Sequence, residues 1–112
     1  MFNDGKLDIY KKVFTKTEGL QLITQIEFYK AMFYSELNFS VEEYYNARQE
    51  GRHQQLKRIR IHQDKSISTD NIIIISGVQY EVGRTFSTDV KGIDITDITL
   101  EKVETDYDII GI

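Results

Sequence analysis

The sequence predicts a mainly β chain: a small antiparallel β-barrel with one short α-helix in a long loop between its second and third main strands. Two observations carry this. From Lys57 to Val103 at least four strands follow one another with short connections, and those around the central apolar run show period-two alternation of apolar and polar residues. At the centre of that region stands Asn71-Ile72-Ile73-Ile74-Ile75, too short a run for a membrane helix and too β-branched for a surface helix, hence a strand apolar on both faces. Ser76-Gly77 is a turn, and the return arm places Val78, Tyr80, Val82 and Phe86 on one side and Gln79, Glu81 and Thr85 on the other.

Taken in order, Leu7 to Phe14 is a first strand with Leu7, Ile9 and Val13 on one face and Tyr10 and Phe14 on the other. Thr15 to Gly19 is a turn, and Leu20 to Ile26 is read as extended. From there Ile26, Phe28, Met32 and Tyr34 share one face of the second strand, and Tyr29, Ala31, Phe33 and Leu37 the other. So few polar positions imply that part of its outer side meets another element or another subunit. Residues Phe39 to Gly51 change to a helical code: Ser40 is the N-cap, Glu43 its capping-box partner, Phe39 and Tyr44 the staple and Gly51 the stop. Tyr44, Tyr45 and Arg48 share a face with Val41. This excursion, about residues 38–56, needs a surface to lean on, because a helix of roughly ten residues is marginal alone.

The third strand carries Ile59 and Ile61 inward and Arg58, Arg60 and His62 outward. Asp64 to Asn71 has loop composition. After the hairpin, Asp89-Val90-Lys91-Gly92 is a second tight turn. In the last strand Ile93 and Ile95 have one parity, Ile98 and Leu100 the other, which predicts a bulge near Thr96-Asp97. The tail 104–112 mixes acidic and apolar residues without a readable period.

The 112 residues suit a single domain, 1–112, burying roughly 65% of its unfolded surface. The absence of cysteine excludes disulfides, thiolate metal sites and a Cys nucleophile. The start lacks a basic region followed by an apolar one, and no apolar stretch reaches membrane-spanning length, so the expectation is a cytoplasmic protein without membrane contact. Catalytic patterns are also missing. His53 and His62 have no spaced ligand partners, Gly77, Gly83 and Gly92 form no phosphate loop, and Asp94, Asp97, Glu101, Glu104, Asp106 and Asp108 alternate with apolar residues as on a solvated strand. The expectation is a protein that is not an enzyme and takes no cofactor, metal or small-molecule substrate.

Charge is unevenly placed. Between Arg48 and Lys65 there are six Lys or Arg against Glu50 and Asp64, a local +4 in a chain of net charge −4. Arg48, Arg52, Lys57, Arg58 and Arg60, with Tyr44 and Tyr45, are therefore the candidate interface or channel residues. On a small barrel they could also stack bases and contact phosphates, and an OB-like nucleic-acid-binding barrel is the alternative reading. The acidic remainder of the chain weighs against it.

The order strand, strand, capped helix, basic strand, hairpin, last strand resembles the phage head-tail joining family, the head-closure or stopper proteins of long-tailed bacteriophages. The resemblance covers about Leu7 to Val103. It rests on Ser35-Glu36-Leu37 ending the second strand, the strand Arg58-Ile59-Arg60-Ile61-His62, and the hairpin from Ile72 to Val82. It implies a homo-oligomeric ring, expected to be dodecameric, below the portal and adaptor proteins. That ring closes the DNA-filled head and joins it to tail-completion proteins, with packaged DNA passing through its channel. It further implies a place in the virion neck after assembly in the bacterial host cytoplasm, and no catalytic residues. A ring subunit needs two different lateral faces, which suits regional charge of opposite sign and strands apolar on both sides.

Overall fold

The computed structural model describes residues 2–16, 22–37 and 56–111. They form β1 (Gly5–Lys16), β2 (Leu22–Leu37), β3 (Leu56–His62), β4 (Asn71–Ile75), β5 (Val78–Val90), β6 (Ile93–Lys102) and β7 (Asp108–Ile109). The pairing order is β1-β4-β5-β6-β3-β2, and β2 pairs back onto β1, so a ring of backbone hydrogen bonds closes through six strands. All these pairs are antiparallel; β7 joins β2 in parallel at Gln25 and Ile26. The excursion and its helix signals, Ser40, Glu43, Tyr44, Tyr45, Arg48 and Arg52 among them, lie outside the described residues, as does the turn between β1 and β2.

β4 is buried on both faces, and the two faces meet different neighbours. Ile73 and Ile75 enter the main core with Leu7, Ile9, Tyr34, Ile59, Ile61, Ile67, Val82, Ile98 and Leu100. Ile72 and the half-buried Ile74 turn to a second cluster with Tyr10, Ile26, Val103, Tyr107 and Ile109. The cover on that second face is thus the chain's own tail, which the sequence left unread. Each fully buried isoleucine contributes about 1.5–3 kcal/mol relative to exposure, so both faces matter.

Gln79 fastens the tail. Its side-chain amide donates to Tyr107 O (2.9 Å), its carbonyl oxygen accepts from Tyr107 N (2.8 Å), and Val103 N donates to the Gln79 backbone oxygen. The amide therefore stands in for a strand neighbour, offering Tyr107 one donor and one acceptor. Alternation makes Gln79 a solvent position; it is buried instead, because the tail crosses the face it occupies.

Both hairpin turns have two residues in the left-handed region, Ser76 (φ 53°) with Gly77 (φ 79°) and Lys91 (φ 53°) with Gly92 (φ 81°). That is the I′ geometry whose twist matches the flanking strands. At the second turn Asp89 Oδ1 accepts from Gly92 N.

Bulges account for the side chains whose facing alternation misplaces. The β5–β6 register shifts between Val82 and Arg84, so Gly83 is an extra residue. Phe86 consequently leaves the side of Val82, where alternation puts it, and is 61% exposed. β3 and β6 stay in register from Leu56 to His62, so there is no bulge at Thr96-Asp97. The change of parity there reflects burial on both faces, since Ile95 and Thr96 are each essentially inaccessible. A second shift, between Ile9 and Tyr10, makes Tyr29 the extra residue of β2. Tyr29 then packs on the main core beside Met32, while Phe28 and Phe33 are exposed.

Two outcomes follow from the two-sided burial. Ile73→Lys strands a charge in the main core and abolishes soluble expression, whereas Ile74→Lys, whose long side chain can reach water from the second face, folds with a lowered thermal midpoint. Equal behaviour of the two variants would contradict the division of faces. Gln79→Leu leaves the six-strand ring folded but costs roughly 1–3 kcal/mol, and hydrogen exchange rises selectively over 103–110. Unchanged protection there would show that the tail is held by something else.

Candidate functional site

The basic strand β3 is positioned by its two isoleucines. Ile59 and Ile61 are wholly buried in the main core, and strand alternation then turns Arg58, Arg60 and His62 to the outer face. Register decides what those cations meet. Arg60 lies directly opposite Asp97 of β6 and binds it with two hydrogen bonds, Nε to Oδ1 at 2.8 Å and Nη2 to Oδ2 at 3.1 Å. The hydrogen bond to Asp97 raises the pKa of Arg60 against a smaller opposing effect of burial. Lys57 reaches β2, its Nζ 2.8 Å from Glu36 Oε1. Burial by itself would lower the Lys57 pKa; the hydrogen bond and charge of Glu36 outweigh it, with Tyr34 and Tyr80 adding to the rise.

Arg58 lines a shallow depression of about 220 Å³ with Arg84, Phe86, Asp97 and Thr99. Of the residues singled out in the sequence, Arg58 and Arg60 share this outer face, whereas Lys57 has the parity of Ile59 and Ile61 and lies on the opposite one, near Tyr34 and Tyr80. Arg84 and Phe86 join this face without having been foreseen, because only the bulge at Gly83 turns them toward it. Asp97 was read as a solvated acid. Its signal in the sequence was opposite charge at the same parity on two outward strand faces, but nothing local showed that those strands pair in that register.

At the start of the chain, Phe2 lies against His62, ring centroids 4.1 Å apart, and Glu36 N donates to Asp4 Oδ2 at 2.6 Å. The N-terminal residues thus extend the outer face near the end of β3. On the tail side, a groove of about 610 Å³ is lined by Glu81, Glu101, Lys102, Val103, the acidic residues Glu104, Asp106 and Asp108, and Tyr107. Among the described residues no group of three or more His, Cys, Asp or Glu side chains is placed to hold a metal ion.

The loop before β4 carries a further polar cluster. Asp64 pairs with Lys30 of β2 and accepts from Ser66 N at 2.9 Å, while its own backbone N–H donates to Thr96 Oγ1. Ile67 then drops into the main core from the same loop. Burial alone would push the Asp64 carboxyl up, but the bonds from Lys30 and Ser66 hold it below its ordinary value.

No protein-family model matches the chain, and no curated protein matches it in sequence. In backbone shape it is similar to the solution structure of protein SF1141 from Shigella flexneri 2a, with 17% identity, a TM-score of 0.63, and coverage of 90% of this chain and 93% of that one. It is also similar to a chain of the virion of a native gene transfer agent particle, with 8% identity, a TM-score of 0.54, and coverage of 91% and 96%. At these identities the likeness establishes the fold.

The Asp64 cluster has a defined pH dependence. Its carboxyl has a lower pKa folded than unfolded, so its stabilisation is fully present above the unfolded value of about 4 and is lost as pH falls through the folded one. Thermal midpoints should therefore fall more steeply below about pH 4 in the wild type than in Asp64→Asn, with parallel curves above about pH 5. Parallel curves throughout would show that the cluster adds nothing in the folded state.

Proposed function

We propose that the protein is a structural component of a phage neck, a small barrel that assembles as a ring below the portal and adaptor, closes the DNA-filled head and joins it to the tail. The observation that carries this reading is the fold shared over nearly the whole of both chains with a component of a gene transfer agent virion. The order of sequence elements from Leu7 to Val103, which resembles the head-tail joining family, points the same way. Such a role requires no chemistry, only a rigid body with adhesive surfaces. A hydrogen-bonded ring of six strands supports the first requirement, and the exposed Phe14, Phe28, Phe33 and Phe86 support the second.

The state of the basic strand favours a protein partner over nucleic acid. Lys57 and Arg60 already hold Glu36 and Asp97, the latter directly opposite in register, so contact with a phosphate would mean giving up an ion pair. Paired charges on a fixed sheet face suit recognition of another protein surface, where they set orientation. Partners on this reading are further copies of the chain, the portal or adaptor above and the tail-completion proteins below.

A prophage lacking the protein tests the proposal directly. Heads should package DNA and then leak it, and free tails should accumulate beside them; adding back purified protein should restore joining. Fluorescence anisotropy separates the alternative. Each phosphate neutralised on duplex DNA contributes about −0.9 to the slope of log affinity against log salt; the neck reading expects weak binding without saturation at physiological salt. Normal infectious particles without the protein, or tight salt-dependent nucleic-acid binding abolished by reversing Arg58 and Arg60 to Glu, would transfer the assignment to the nucleic-acid-binding barrel.

A further inference from the structure

We propose that the edge of β5 from Thr85 to Asp89 is a self-association surface, at which a second copy of the chain adds its own β5 in antiparallel register centred on Phe86. The inference begins with a mismatch in strand length. β4 has 5 residues and β5 has 13, and β4 pairs only with Val78 to Glu81. Beyond Val82, β5 keeps β6 on one side, and among the described residues no strand pairs with its other side. Every residue from Gly83 to Asp89 is exposed.

The second turn sets which backbone groups are free. Val90 and Ile93 flank the two-residue turn and form its hydrogen-bonded pair. Antiparallel alternation then directs the N–H and C=O of Thr88, Phe86 and Arg84 toward β6, and those of Asp89, Ser87 and Thr85 away from it. Open edges of this kind are ordinarily blunted by proline, by inward charge or by a bulge along their length. The chain has no proline, and the bulge at Gly83 lies at the base of the free stretch.

What such an edge recognises is an extended backbone, and the side chains fit a second β5. Outward-facing residues must pair with outward-facing residues. The register about Phe86 does this by setting Thr85 against Ser87 of the second copy and Ser87 against Thr85 of the second copy. The two Phe86 rings then oppose each other at a non-hydrogen-bonded position, where cross-strand side chains approach most closely. Each Arg84 lies diagonally beside the opposite Phe86, within reach of a cation–π contact, and faces Thr88 rather than a like charge. On the other sheet face Thr85 lies beside Ser87, whose hydroxyl is held by Thr96 of its own chain. The contact is two-fold and separate from any lateral contact of a ring, so it stands or falls independently of the neck assignment.

The chain has no cysteine, so one introduced thiol reports one position. Phe86→Cys should give a disulfide-linked dimer under mild oxidation, while Lys102→Cys, exposed away from this edge, should not. Ser87→Pro removes an outward N–H and leaves the backbone ladder to β6 intact, at the loss of the hydroxyl contact to Thr96. By light scattering it should weaken dimerisation by about tenfold or more, since symmetry deletes two inter-chain hydrogen bonds, with an unchanged circular dichroism spectrum. If Ser87→Pro itself fails to fold, the Phe86→Cys cross-link decides alone. A wild-type protein that is monomeric at its highest soluble concentration, no cross-link through Phe86→Cys, or self-association undiminished in a folded Ser87→Pro variant would overturn the proposal.

Discussion

A strand that is apolar on both faces and hydrogen-bonded on both edges has to be enclosed from four directions, and β4 imposes that requirement on the rest of the molecule. β1 and β5 supply its edges. The main core covers Ile73 and Ile75, and β1, β2 and the tail cover Ile72 and Ile74. Burial of branched side chains on one face alone would have left a surface of several isoleucine methyls in water, at a cost comparable to much of a small domain's net stability. The tail is therefore part of the fold rather than an appendage. Its polar backbone is accommodated because Gln79 supplies the donor and the acceptor that a neighbouring strand would have offered.

The same short strand shapes the outline of the protein. Both neighbours of β4 overrun it: β1 pairs with it only as far as Lys11 and β5 only to Glu81. The β1–β2 and β5–β6 hairpins thus continue as arms beyond the point where β4 starts at Asn71. Asn71 ties that junction together, its side-chain amide donating to Tyr10 O and its Oδ1 accepting from Ser68 N. The loop before it seats Ile67 in the core and pairs Asp64 with Lys30. The arms carry exposed Phe14 and Phe86, whereas the enclosed part of the sheet carries the buried aliphatic side chains.

Charge is organised by pairing across strands. The basic strand does not present a free row of cations: Lys57 and Arg60 each meet a carboxylate on an adjacent strand, and Arg58 shares its depression with Arg84 and Asp97. The acidic residues that outnumber them gather instead around the tail groove. This separation gives the molecule surfaces of different character.

The sequence by itself determined the β class, the two turns, the inward facing of Ile59 and Ile61, and the double burial of the isoleucine run. Each of these depends on local chemistry: β-branching, strand parity, and residues that tolerate a left-handed backbone. Tertiary structure decided which strands pair, and with them the Arg60–Asp97 and Lys57–Glu36 contacts. It also decided that the tail covers Ile72, and that Gln79 lies inside while Phe86 lies outside. Bulges at Gly83 and Tyr29 explain much of the difference, since one inserted residue inverts the facing of all that follows while leaving the composition of the strand unchanged. Strand parity can be read along a chain, but the partner that completes a sheet is chosen by packing and hydrogen bonding among segments far apart in sequence, and those energies have no local signature.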